Sequence, residues 1–266
     1  MFEFHKDKET YFNYQKENAA KWVIPFVEKG MPVKAGMNVL EIGCAEGGVL
    51  KAFLERGCTG VGVELSPSRA ELARNFLKQE IAERRVSIIA KDIYDPSFSG
   101  EFKNAFDLII LKDVIEHIHD QQKLMDQLKL YLKPSGKIFF GFPPWYMPFG
   151  GHQQVCKNKW LSKLPYYHLL PMPLYKMVLK VGGESKQSIE DLTEIKDTGI
   201  SIERFEKILK RLDYVIDQRV YYLINPIYEY KFGWKTKEQN KLVASIPWIR
   251  DVFTTAMYYL VCLKNK

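Results

Sequence analysis

Short apolar runs alternate with helix-like patterns over the first half of the chain. Residues 38–42 (NVLEI) and 59–64 (TGVGVE) are two such runs, and each leads into apolar positions at helical spacing. After the first come Val49, Leu50, Phe53 and Leu54, ending at Gly57. After the second, Ser66-Pro67 predicts a helix start, with Ser as cap and Pro in the first turn; Ala70, Ala73, Phe76 and Leu77 follow. A third run, VSIIAKD (86–92), precedes a turn-like DPSFSG (95–100). A fourth, FDLIILKD (106–113), is apolar almost throughout. The helix after it carries Leu124, Leu128, Tyr131 and Leu132 on one face and stops at Pro134-Ser135-Gly136. GKIFFGF (136–142) is the fifth run. Strands apolar on both faces and separated by helices predict a parallel sheet covered on both sides, a doubly wound α/β fold. In such a fold the ligand sits beyond the carboxyl ends of the strands, where the winding reverses.

The rhythm breaks after Phe142. Helical periodicity returns near Ser201, with Phe205, Ile208, Leu209 and Leu212, followed by strand-like YVIDQRVYYLI (214–224) and a closing strand, TTAMYYLVCL (254–263). This predicts a core over 36–142 and 201–266, an N-terminal helical cap over 1–35, and an insertion over 143–200 above the carboxyl edge of the sheet. Residues 225–250 form a second, shorter excursion. No internal repeat or low-complexity tract is present.

Composition narrows the class only a little. The chain has 266 residues, 46% hydrophobic and 27% charged, as in ordinary soluble domains. The N-terminus, MFEFHKDKET, lacks a basic-then-apolar signal pattern. Cys44, Cys58, Cys156 and Cys262 form no paired motif and read as reduced thiols, so a cytoplasmic protein is expected. The net charge of +7 suits nucleic acid, a membrane surface or an anionic substrate alike. No apolar stretch reaches the roughly 18 residues of a spanning helix. The nearest, 164–181, is interrupted by Pro165, Pro171, Pro173 and two lysines.

The turn after the first strand carries the candidate chemistry. Through Val39-Leu40-Glu41-Ile42-Gly43-Cys44-Ala45-Glu46-Gly47 the chain resembles the glycine-rich loop of class I S-adenosylmethionine-dependent methyltransferases, with Ala45 where the usual pattern has its middle glycine. LKDVIEHIHD (111–120) and LKPSGKIFFGFPP (132–144) resemble the branch that includes the ubiquinone-type methyltransferases, and the matches cover roughly 36–144. The resemblance implies a Rossmann-like, seven-stranded, mostly parallel sheet with an antiparallel last strand, and S-adenosyl-L-methionine as cofactor. It places Glu41 near the cofactor's ammonium and Glu64, with Leu65, at the ribose. Asp92 and Ile93 fall at the adenine. Gly43, Cys44, Ala45 and Gly47 line the methionine–ribose side, and Lys112, Asp113 and Val114 lie near the transferred methyl. Gly43 and Gly47 are expected where a Cβ would strike the ligand. Taken alone, Glu41 and Asp92 also read as solvated turn residues, and Cys44 as a small packed residue. A nicotinamide dinucleotide domain is the competing enzyme class; Glu46 in the turn is expected to repel its pyrophosphate. A non-catalytic cofactor-binding protein is the third reading.

Five histidines supply candidate bases: His5, His117, His119, His152 and His168. His117 follows strand four and His152 follows strand five, so both can face one crevice and serve as base for an oxygen acceptor. His117 also reads as a loop-structuring residue, and His152, in PFGGHQQ, as a surface turn. Asp113, Glu116, His117, His119 and His152 show no metal-ligand spacing along the chain, and no metal is expected. From Trp145 to Lys180 there are five lysines, seven aromatics and no acid. That composition predicts a lid over a small or lipid-like acceptor, with Trp145, Tyr146, Gln153 and Gln154 as substrate contacts. It also accommodates an interfacial membrane patch, an RNA-binding surface or a purely structural cap. Tyr11 and Tyr14, in a helix before the core, are read as cofactor contacts or as core anchors. Oligomeric state is not legible.

Overall fold

A computed structural model describes residues 7–264. The first six residues, with His5 and the beginning of the expected N-terminal cap, and the last two lie outside the described residues. The strands are β1 (Asn38–Ile42), β2 (Thr59–Glu64), β3 (Val86–Ala90), β4 (Phe106–Lys112), β5 (Leu132–Phe142), β6 (Tyr214–Ile224), β7 (Lys237–Glu238) and β8 (Ala256–Leu263). They form one sheet in the order β3-β2-β1-β4-β5-β8-β6-β7. The first five are mutually parallel, and β8 runs antiparallel between β5 and β6. The winding reverses between β1 and β4, which places the switch point at their carboxyl ends. Seven strands were expected and eight are present among the described residues. The extra one is the two-residue edge strand β7, which the second excursion lays against β6.

Alternation along each strand explains the double-sided core. Ile109 and Leu111 of β4 belong to a cluster on one face with Phe140, Phe205 and Tyr259. Leu108 and Ile110 belong to the other, with Phe26, Phe53, Phe139 and Tyr258. Neighbouring residues of a strand point to opposite faces, so a strand buried on both has no polar period. The bounds of β6 coincide with the expected strand, whereas β5 opens four residues early, at Leu132. Its register with β4 shifts between Phe106 and Leu108, so Pro134 and Gly136 fall in an irregular stretch of the strand itself.

Helix α1 (Lys8–Asn18) is capped by Asp7, whose carboxylate accepts the amides of Glu9 and Thr10. It packs on α2 (Gly48–Leu54), the helix opened by the glycine turn. Helix α3 (Pro67–Phe76) starts at Pro67 as expected, but Ser66 makes no side-chain cap bond. Residues 96–101, expected as a turn, are a short helix capped by Asp95. Helix α4 (Gln121–Tyr131) precedes β5.

The 143–200 segment is more ordered than its sequence suggests. It contains α5 (Met172–Val181) and α6 (Lys186–Thr198) after three 3₁₀ turns. Pro171 and Pro173 read as breakers, yet they stand at the start of α5, where proline is tolerated because no amide donor is needed there. Cys156, Leu161, Tyr167, Tyr175, Leu179 and Leu192 make a third core, separate from those of the sheet. Beyond it, α7 (Ile202–Arg211) is capped by Ser201 and returns the chain to β6. No helix among the described residues is long and apolar enough to cross a membrane.

A separate core predicts a separable loss. Leu179 is fully buried, so Leu179→Ala should cost the insertion about 2–4 kcal/mol. Limited proteolysis should then cut within 157–185 far faster than in the wild type. The urea midpoint of the sheet, followed by tryptophan-independent far-UV dichroism, should barely move. A single global loss would show that the third core is not independent.

Candidate active site

The turn leaving β1 is held in a strained shape by its surroundings. Gly43, Ala45 and Gly47 have φ of +65°, +52° and +85°, in the left-handed region that favours glycine. A Cβ on Gly43 would lie 2.6 Å from Val114, and one on Gly47 would lie 2.9 Å from Leu77. The close approach these glycines permit is therefore to protein, where approach to the ligand was expected. Ala45 adopts the same backbone despite its Cβ, and its amide donates to Glu64 at 2.9 Å. The other Glu64 oxygen accepts the amide of Ser66 at 2.9 Å. Gly43 and Cys44 both donate to the carbonyl of Val63. Strand β2 thus grips the turn through its last two residues.

Glu46 faces inward. It is fully buried, 2.9 Å from Lys8 Nζ and 3.2 Å from Arg69. Burial alone would raise its carboxyl; the Lys8 hydrogen bond and the Arg69 charge outweigh that and hold it below the usual range. Its charge is answered within the protein, so the expected repulsion of a pyrophosphate is not supported by the geometry. Lys8 and Arg69 were missed in the sequence. The signal was indirect: an acid in a glycine turn that opens a buried helix needs cations nearby.

Beyond the strand ends lies a cleft of about 580 Å³. Gly43, Glu64, Leu65, Asp92, Ile93, Asp113 and Val114 line it, seven of the residues expected at the cofactor, with His117 and Arg69 beside them. Glu64 stands at the end of β2 with each oxygen engaged once, which leaves acceptor capacity for a pair of hydroxyls. Asp92 is exposed to the cleft and accepts the Tyr94 amide at 2.9 Å. Ile42, Val63, Ile93, Val114 and Ile118 make an apolar wall suited to a flat ring. This donor set, a diol acceptor, an acid and an apolar slot, fits an adenosine.

Other expected contacts lie elsewhere. Glu41 does not line the cleft. It is buried behind the turn, where Oε2 accepts the Leu50 amide at 2.9 Å. Burial pushes its carboxyl up to about 8, against that hydrogen bond and the charge of Lys112. Cys44 is buried, and burial drives its thiol far up, as for a packed residue. Lys112 is set back from the cleft and pairs with Asp113 at 2.6 Å. Tyr11 stands beside the cleft, its hydroxyl within electrostatic reach of Asp113 and Arg69 and its ring 5.6 Å beneath the ammonium of Lys231. Lys231 and Tyr228, from the second excursion, come within electrostatic reach of Asp113 and were not singled out in the sequence.

The insertion's expected substrate contacts divide. Trp145 is a packing residue: its ring meets His168 at 4.7 Å and lies beneath Lys196. Gln153 is fully buried and bonds the Pro148 carbonyl and His168 Nδ1. Both serve the internal structure of the insertion, since an amide that deep must find partners. Tyr146 approaches Trp248 at 6.3 Å, and Gln154 is half-buried in the same turn as Gln153. His168 holds the carbonyl of Trp145 at 2.9 Å and is structural. His119 pairs with Glu194 on the surface.

His117 and His152 do meet. Their rings cross edge to face at 5.0 Å, where the ends of β4 and β5 lie side by side. Burial lowers both imidazoles, His152 to about 4. The shift favours the neutral imidazole in each, the form that can accept a proton, while making it a weaker base. His152 itself has φ +54°, a conformation that costs about 1 kcal/mol and marks a position fixed by its surroundings. Glu116 lies beneath them, buried, with neither oxygen hydrogen-bonded. Ligand atoms of Glu116, His117 and His152 lie within 4.8 Å of one another. The three converge in space although their chain spacing gives no hint of it.

The fold is Rossmann-like and the cleft suits a nucleoside, and comparison with known proteins gives the class. A methyltransferase domain family matches residues 11–167. The chain belongs to this family and is a class I S-adenosylmethionine-dependent methyltransferase. It is similar to the ubiquinone biosynthesis O-methyltransferase of Coxiella burnetii, 27% identical over 117 residues, which is 44% of this chain and 47% of that one. The chain thus aligns with about half the length of the curated relatives it matches. In fold it resembles Haemonchus contortus phosphoethanolamine N-methyltransferase 2, with a TM-score of 0.54 and 19% identity over 92% of this chain and 53% of that chain. It also resembles the plantazolicin methyltransferase BpumL, with a TM-score of 0.56 and 13% identity over 97% and 90%.

The buried Glu41 gives a pH test. Its folded value lies above the unfolded one, so its stabilising contribution is present at low pH and is lost as pH rises through about 8. Glu41→Gln keeps an acceptor for the Leu50 amide and removes the titration. Thermal melts from pH 5 to pH 9 should show the variant gaining on the wild type as pH rises, by about 4 kcal/mol if the folded value is near 8. Parallel curves would mean that Glu41 is ionised throughout.

Proposed function

We propose that this protein transfers a methyl group from S-adenosylmethionine to an oxygen of a small or lipid-like acceptor, with His152 as general base. The observation that carries the reading is the pair of imidazoles, His117 on the cleft wall and His152 edge to face against it. When bound, the cofactor supplies an electrophilic methyl on a sulfonium. The chain's part is to align the acceptor, exclude water and remove its hydroxyl proton. Glu64 would hold the ribose diol, and Asp92 with Ile93 the adenine. His152 would take the proton at a ring nitrogen, with His117 edge to face against it. The insertion would close over the acceptor from the β5 side. The relatives named for O-methyl transfer support oxygen as the target atom.

The pH dependence of turnover tests the base. With a phenolic acceptor panel, kcat/KM of the wild type should hold level down to about pH 5, because His152 stays neutral there. An ordinary histidine would cut the rate below about 6.5. His152→Gln should lower kcat about 10²-fold or more with little change in KM. The activity should also survive a chelator. Loss on chelation, restored by a divalent ion, would recast Glu116, His117 and His152 as ligands and remove the base assignment.

A further inference from the structure

We propose that the outer face of the insertion docks on an anionic lipid surface. Helix α5 is buried on one side through Tyr175 and Leu179. On the other it turns Leu174, Met177 and Val181 outward, 45%, 54% and 83% exposed. Those three positions fall on one helical stripe. Trp160 is 87% exposed and belongs to the same end of the insertion as Val181. The link is local: Asn158 donates to the carbonyl of Gly182 at 2.9 Å, and its own amide is held by Glu184. A protruding Trp and an apolar stripe in water have no gain from folding alone, and such a patch marks a contact surface.

Charge identifies the kind of surface. Lys176 and Lys180 flank the stripe, and Lys157, Lys159 and Lys163 surround Trp160, all exposed. No acid occurs between Trp145 and Lys180. The nearest in sequence, Glu184, is buried and spent on Asn158 and Ser188. Apolar side chains at the centre with lysines around them match the two layers of a membrane interface: acyl chains beneath, anionic headgroups above. A second protein copy would bring the same lysines against themselves, which disfavours self-association through this face. The surface lies outside the cleft, and the inference does not rest on the acceptor or the base proposed above.

The test is co-sedimentation of the full chain with phosphatidylcholine vesicles, with and without about 30% phosphatidylglycerol. Trp160→Ser/Val181→Ser and Lys176→Glu/Lys180→Glu are compared with the wild type. Calorimetric binding of S-adenosylhomocysteine checks that each variant is folded, and light scattering gives its mass. The wild type should bind the anionic vesicles at least tenfold more tightly than the neutral ones, less so at high salt. Each double variant should lose at least tenfold while keeping its ligand binding and mass. Wild-type protein that binds the ligand but no anionic vesicle overturns the proposal. So does vesicle binding that both variants retain. A wild-type dimer that the Trp160→Ser/Val181→Ser variant splits, with no vesicle binding, would assign the face to a second copy instead.

Discussion

Two buried carboxylates hold the turn after β1 in place, and the cleft depends on that turn. Glu64 reaches across from the end of β2 and accepts the amide of Ala45, a residue whose backbone is left-handed without being glycine. Glu46 is clamped from the other side by Lys8 and Arg69. Removing the cations leaves the Glu46 charge uncompensated in a place that water does not reach. The clamp also ties the first helix and α3 to the turn. The turn, the N-terminal helix and α3 are thus one electrostatic unit.

The division of labour around the switch point follows from the strand order. The ends of β1, β2 and β3 carry the groups suited to an adenosine, while β4 and β5 end at the two imidazoles. Acid–base groups and nucleoside-holding groups therefore come from different strands, joined where the winding reverses. Asp113 sits between them, left-handed like Ala45 and paired with Lys112. Lys231 and Tyr228 close the same corner from the second excursion. The insertion carries its own core and supplies His152 to this corner.

Much of this was legible in the chain, and the exceptions share a cause. Apolar runs without a polar period marked β1, β2, β3, β4 and most of β5, because a strand buried on both faces has no other pattern. Acids closing β2 and β3 marked the cleft, because an acid after an apolar strand must meet a partner or water. The edge strand β7 has only two residues and no pattern to read. Helix α5 was hidden twice: its prolines sit where a helix starts, and its outward stripe is apolar, so the usual period is absent. Glu41, Trp145 and Gln153 were placed at ligands because polar and aromatic residues in a turn look available. Glu41 and Gln153 are buried on protein partners instead, and Trp145 is half-buried against His168; burial depends on residues far away in sequence. The meeting of His117 with His152 was legible because they follow neighbouring strands, whereas the convergence of Glu116 on them was not, since chain spacing does not encode it.

The central claim is that the cleft beyond β1 and β2 binds the adenosyl cofactor through the carboxylate of Glu64. Isothermal titration with S-adenosylhomocysteine tests it most directly, on the wild type and on Glu64→Gln, which removes the charge and one acceptor at nearly constant shape. The account predicts saturable one-to-one binding to the wild type and a loss of about 1.5–3 kcal/mol in the variant, the worth of hydrogen bonds to a charged group. Equal binding by both proteins, or no binding by a folded wild type, would contradict it.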